Sequence, residues 1–312
     1  MSHTQGNDMK NILPVFFVLL TAMPVQAGGA ASEAQQLERA DGGTVHWYLD
    51  RRGKTGEQGV VFLAQGSGCT SPVHGQAMKA AASLAPEHAI VKMEKAGLPP
   101  GHRPGEDGCP ASFHDQHTLT GWVADLERVV GLLRESSWWN GELVLFGGSE
   151  GGAMVTLAAA EIPETHALVV LSSGLGMTMA ETLTSVVPPE LAGNLERQFE
   201  EIRANPDSSE VWSAHSYRWW HEVLDRDFTA DLLALDVPIL LIQGGRDQSV
   251  PVASGRNIKN AFEQAGRTNL TYREYPNLDH GMTDADGHSR LDDVIADSGE
   301  WLSCQLTDEK DR

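Results

Sequence analysis

Cysteine is scarce. The 312 residues contain three, Cys69, Cys109 and Cys304, and none form a C-x-x-C pair, which argues against a structural zinc site. Positive charge is scarce too. Lysine and arginine number 23 against 43 aspartates and glutamates, a formal net charge of −20. Nucleic acids and anionic lipid surfaces attract basic proteins, so this balance speaks against either as a partner. Past the first thirty residues there is no internal repeat and no low-complexity tract. Also missing is any apolar run of the ~20 residues that a membrane-spanning helix needs.

The apolar run that does occur is short. ILPVFFVLLTAM follows Met9-Lys10 and leads into PVQAGGA. A basic start, a brief apolar stretch and small residues at Val25 and Ala27 are the pattern of an export signal cut after Ala27. The expectation is a signal peptide over residues 1–27, a mature chain over 28–312, and a periplasmic or secreted location with no stable membrane insertion. No cysteine follows the run, which speaks against a lipid anchor. In an oxidising compartment three cysteines make one disulfide and one leftover thiol.

What is present, from residue 59 onward, is alternation. GVVFLAQGSG, AIVKMEK, ELVLFGGS, HALVVLSSG, VPILLIQGGRD and LTYREYPNLDHG read as strands running into loops. Between them lie helical patterns such as TLTGWVADLERVVGLLRES, with Thr118 or Thr120 as its cap. Continuous apolar strands separated by helices imply a mostly parallel, doubly wound α/β sheet covered on both faces. Ligands of such sheets bind beyond the carboxyl ends of the strands. GGTVHWYLDRRGK adds one or two antiparallel edge strands. Residues 175–236 break the alternation: they show helical stretches and no strand pattern, as expected of a helical cap inserted between late strands.

The chemistry is carried by Gly147-Gly148-Ser149-Glu150-Gly151. It fits G-x-S-x-G and lies between a strand and a helix, where a strained turn lifts the serine hydroxyl clear of the sheet. The amide of Glu150, at the start of that helix, can point at an oxygen becoming negative. A serine needs a base, and the base needs an orienting group. Asp247 lies just beyond VPILLIQGG and His280 just beyond the last strand, both at the sheet edge that carries Ser149. The order Ser, Asp, His matches that of the motif's usual fold. His74, His114, His117 and His288 occupy less suitable places, and Asp279 is too near His280 in sequence to orient its ring. A second oxyanion donor is expected from AQGSGCTSP: the amide of Ser67 or of Gly66.

Taken together, GGSEGG, GGRDQSVP and LDHGM resemble the serine hydrolases of the α/β-hydrolase fold, in particular the esterase/thioesterase and dienelactone-hydrolase-like group and the prolyl-peptidase-like group. The resemblance spans roughly residues 43–304. It implies a carboxylesterase acting on a small-molecule acyl ester or thioester, with Ser149 as nucleophile, His280 as base and Asp247 as its orienter. No metal or organic cofactor is implied. The alternatives are a prolyl-type or other serine peptidase, and a non-catalytic binding protein on the same fold. The latter would be expected to lack a triad member, and none is lacking.

Weaker signals complete the reading. Trp219 and Trp220, with Trp212 and Tyr217, are candidates to line an acyl pocket or to form a helix packing face. Glu150 reads as a partly solvated carboxylate at a helix start, with a substrate ammonium as the alternative partner, and Glu94-Lys95 as a surface ion pair. Asp284, Asp286 and Asp292 fail the spacing of a calcium loop. Cys69 follows the oxyanion loop and Cys109 lies in the next loop at the same sheet edge, so a Cys69–Cys109 disulfide is expected, leaving Cys304 free.

Overall fold

The computed structural model describes residues 33–310 apart from 40 and 107. The expected export segment, residues 1–27, lies outside them. The described residues begin with two antiparallel strands, β1 (Gln35–Glu38) and β2 (Thr44–Asp50). Alternation then sets in: β3 (Gln58–Ala64), α1 (Gln76–Ala81), β4 (Ala89–Met93), α2 (Ala111–Gln116), α3 (Leu119–Arg134), β5 (Trp139–Gly148), α4 (Glu150–Glu161) and β6 (Thr165–Leu171). An insertion follows, made of α5 (Met179–Val186), α6 (Ala192–Ala204), the two-residue strands β7 (Val211–Trp212) and β8 (His215–Ser216), α7 (Tyr217–Val223) and α8 (Phe228–Ala234). The chain closes with β9 (Ile239–Gly244), α9 (Val252–Gln264), β10 (Leu270–Tyr275) and α10 (Leu291–Lys310).

Eight strands make one sheet in the order β1-β2-β4-β3-β5-β6-β9-β10. From β4 to β10 every pairing is parallel, and only β2 against β4 and β1 against β2 run antiparallel. β3 is buried at all seven positions because helices cover both faces. Val60, Phe62 and Ala64 point into the larger core, with α3, α4, α9 and the insertion. Val61 and Leu63 point into the smaller one, with α1 and α10.

The sheet order has a functional consequence. After β3 the chain moves to β4 on one side, and β5 then returns to the other side of β3. The loops leaving β3 and β5 therefore part company at their carboxyl ends, and the crevice between them is where ligands of such sheets bind.

The insertion is a cap as expected, with one correction. The sequence pattern predicts no strand in it, yet β7 and β8 form a small antiparallel ladder of their own. Such short strands leave no period-2 signature. The cap is not a separate globule, since Phe199, Ile202, Tyr217, Trp219 and Trp220 belong to the same apolar cluster as Val60 and Phe62. Polar ties add to this. Glu222 of α7 accepts hydrogen bonds from the amide and hydroxyl of Thr120, and Arg218 donates to the Asp115 carbonyl. Of the two expected caps of α3, Thr118 is the one used: its hydroxyl accepts from Gly121 N at 3.0 Å.

Candidate active site

Ser149 stands between β5 and α4 with φ 52° and ψ −122°, a region that side-chain-bearing residues rarely enter. The flanking glycines explain how the turn is possible. A Cβ on Gly147 would lie 2.2 Å from the Gly151 carbonyl oxygen, and one on Gly151 would lie 2.4 Å from that of Ala64. Both obstacles are backbone, so neither can step aside. Gly148, at the variable position of the motif, faces nothing within 4 Å. Although Ser149 occupies the position before the first residue of α4, its hydroxyl caps nothing in the helix.

Asp247 follows β9 and His280 follows β10, and the structure brings them together. His280 Nδ1 lies 2.8 Å from Asp247 Oδ2. The same oxygen accepts from Gln243 Nε2 at 3.0 Å, while Oδ1 accepts from the amides of Ser249 and Val250, each at 2.8 Å. The Asp247 side chain is fully buried and that of His280 is 27% exposed. A carboxylate can only accept, so Nδ1 carries the imidazole proton and Nε2 is left as the basic nitrogen. No hydrogen bond joins Ser149 Oγ to His280 in this structure. Asp279 does not touch the ring: its Oδ1 accepts from the amides of Gly281 and Thr283 and shapes the turn that presents His280.

The loop after β3 lies against the serine. A Cβ on Gly66 would stand 3.4 Å from Ser149 Cβ and 4.0 Å from its Oγ. The amides of Ser67 and Glu150 donate to no other group among the described residues. Two residues on, Cys69 is joined to Cys109, with a Cα–Cα distance of 5.6 Å. The pair is packed with Leu98 and Phe113, and Cys304 is free and exposed.

Two expectations about charge are overturned. Glu150 is not solvated: its side chain is 2% exposed and that of Lys95 is 0% exposed. Lys95 Nζ donates to Glu150 Oε2 at 2.7 Å and to the Gly66 carbonyl at 2.8 Å, and it lies 5.0 Å from the Trp122 ring centroid. Glu150 Oε1 accepts from His117 Nε2 at 2.7 Å and from Trp219 Nε1 at 3.0 Å. Burial alone would raise the Glu150 carboxyl, but Lys95, His117 and His215 together hold it well below the usual carboxylate range. Nor does Glu94 pair with Lys95 at the surface. It is buried and accepts from Ser71 Oγ, Tyr48 Oη and Gly101 N. Burial and that hydrogen bond push the Tyr48 phenol up to about 12.

Trp219 and Trp220 are each 3% exposed. Trp219 stacks on His215 with centroids 3.8 Å apart, and Trp220 Nε1 donates to the Trp212 carbonyl at 2.7 Å. Of the two readings of these tryptophans, the structure places them in the packed cap–body boundary. Gln243 and His215 escape the sequence reading, which weighs His117 only as a competing base and Lys95 only as half of a surface ion pair. The one signal for Lys95 was a Glu-Lys pair at the carboxyl end of an apolar strand.

Comparison with known proteins puts this geometry in a family. The family described as serine aminopeptidase, S33, matches residues 101–286, more than half of the chain. Est1E from Butyrivibrio proteoclasticus, solved with ferulic acid bound, superposes with a TM-score of 0.65 at 17% identity, covering 88% of this chain and 100% of that one. A monoacylglycerol lipase from Paleococcus ferrophilus gives 0.56 at 18% identity over 84% and 99% of the two chains. A non-heme haloperoxidase from Rhodococcus erythropolis is 40% identical over 58 residues, 19% of this chain and 20% of that relative's length. By its family match and by its eight-stranded sheet, the chain belongs to the serine aminopeptidase (S33) family of α/β hydrolases.

Proposed function

We propose that this hydrolase is an exported serine esterase that cleaves carboxylic esters of small or medium acyl groups through an acyl-enzyme on Ser149. The observation that carries the reading is the 2.8 Å His280–Asp247 hydrogen bond, at the sheet edge where Ser149 is held in its strained turn. Ser149 Oγ attacks the carbonyl carbon as His280 Nε2 takes its proton. The amides of Ser67 and Glu150 stabilise the oxyanion, His280 returns the proton to the departing alkoxide, and water repeats the sequence on the acyl-enzyme. Asp247 holds the imidazole in the required tautomer. The cap over residues 175–236 governs access. Export rests on the sequence pattern of residues 9–27 and agrees with a disulfide, a bond typical of oxidising compartments.

Glu150 favours ester over peptide substrates. An aminopeptidase needs an acidic group for the substrate ammonium, and the carboxylate beside the nucleophile already faces Lys95, His117 and Trp219 in a dry interior. The test is a panel of chromogenic esters and aminoacyl amides with fluorophosphonate labelling. Ser149→Ala is expected to abolish turnover and labelling with its unfolding midpoint unchanged. Labelling of Ser149→Ala at the wild-type rate, or turnover confined to the amides, would sink the reading.

A further inference from the structure

We propose that Lys95 is a positioning residue for the oxyanion hole, holding both donor peptides from behind through the Gly66 carbonyl and the Glu150 carboxylate. The inference rests on the reading of Ser149 as nucleophile. It follows from one ammonium contacting both sides of the crevice. Lys95 lies just past β4, its side chain is fully buried, and its Nζ reaches Gly66 O at 2.8 Å and Glu150 Oε2 at 2.7 Å.

The Gly66 carbonyl and the Ser67 amide share one planar trans peptide, so they point in opposite directions. Fixing the oxygen onto Lys95 fixes the Ser67 N–H facing away from Lys95. On the other side, the Glu150 backbone carries the second donor, and its side chain is anchored inward at three points: Lys95, His117 and Trp219. The Ser67 donor peptide cannot rotate without breaking its bond to Lys95, and the three anchors on the Glu150 side chain restrain the backbone that carries the second donor.

Stability gives no reason for ions here, because well-packed apolar residues of similar volume hold a core as well as a buried pair does. Directional donors at fixed distance give a reason, since a preorganised hole pays no reorganisation cost when the oxyanion forms. The cap enters through Trp219, whose indole N–H ends on Glu150. Seating of the cap and aim of the hole are thereby linked.

The experiment compares wild type with Lys95→Met/Glu150→Gln, changed together so that no lone charge stays buried. The readouts are kcat and KM on the smallest active ester, and affinity for an alkyl boronic acid. The boronic acid accepts Ser149 Oγ, the serine proton passing to His280, and places a boron-bound oxygen in the hole. The double variant is expected to lose about 10- to 100-fold in kcat with KM within about twofold, because a small misplacement of catalytic groups costs that much. Boronate affinity should weaken in parallel. A folded double variant with wild-type kcat, or with undiminished boronate affinity, overturns the proposal. If the double variant does not fold, Trp219→Phe removes a single hydrogen bond to Glu150. It should lower kcat several-fold at constant KM, and unchanged kcat there also overturns the proposal. Wild-type protein without ester turnover would instead fault the assignment of Ser149.

Discussion

Asp247 commits its carboxylate to four donors, two amides, the Gln243 amide group and His280. That fixes the imidazole plane more firmly than one hydrogen bond would. Asparagine at 247 keeps the shape but can present an N–H to Nδ1, favouring the tautomer whose Nε2 is protonated and cannot act as a base. Asp247→Asn is therefore expected to lower kcat by about 10⁴-fold with substrate affinity retained, as steady-state kinetics on a chromogenic ester would measure. A variant within tenfold of wild type would remove Asp247 from the mechanism. The placement of Ser149, Asp247 and His280 at one sheet edge was legible in the sequence because each follows an apolar strand, and chain order alone puts the ends of parallel strands on one edge. Glu150 and Lys95 were not. Their pairing spans 55 residues of sequence, and an unpartnered charge is reasonably read as solvated. Gln243 was hidden at the end of an apolar strand, where it looks like punctuation.

At the scale of elements, the parallel strands, the longer helices α3, α4, α9 and α10 and the cap insertion were legible from periodicity, and the six-residue helices α1 and α2 were not. The β7–β8 ladder was not, being too short to have a period. The loops are the less secure elements, and the disulfide bears most on them. Cys69 and Cys109 are separated by 40 residues, a closure worth about 4 kcal/mol in the chain-entropy model. Glu94 helps from within, since Ser71 of one loop and Gly101 of the next both donate to it. Reduction, or Cys69→Ala/Cys109→Ala, is expected to lower unfolding free energy by about 3–4 kcal/mol in urea titrations. Loss of activity should precede global unfolding, because the loop that carries the proposed oxyanion donor begins three residues before Cys69. A midpoint indifferent to reductant would contradict this.

At the scale of the whole molecule, the buried histidines at the cap boundary set the response to acid. Burial lowers His117 and takes His215 down to about 3. His215 therefore stays neutral in the folded chain at pH values where the unfolded chain, titrating near ~6.5, already binds protons. Below that pH the unfolded state gains a proton at His215 that the folded state refuses, so stability falls by about 1.4 kcal/mol per pH unit from that group, and His117 adds in the same direction. Glu150 acts in the same direction lower down. Its folded value is depressed, so its contribution is complete above the unfolded carboxylate value of ~4.3 and is lost beneath it. Unfolding free energy should decline steadily from pH 6.5 towards 4.5, and His215→Phe should flatten the slope. Equal slopes in the variant and wild type would assign the acid sensitivity elsewhere.

The bond from Trp219 to Glu150 has a consequence for how such a protein can diversify. Grafting a cap from a related body would be one route to a new substrate range. Here the graft boundary runs through a shared ion cluster: the body supplies Lys95, His117 and Glu150, and the cap supplies Trp219 and His215. A foreign cap without the matching indole would cover Glu150 with one donor missing, directly beside Ser149. Recombination that respects only the chain boundaries of the insertion would thus yield folded but poorly aimed chimeras. The unit that can be inherited whole is the cap together with the residue pair beneath it.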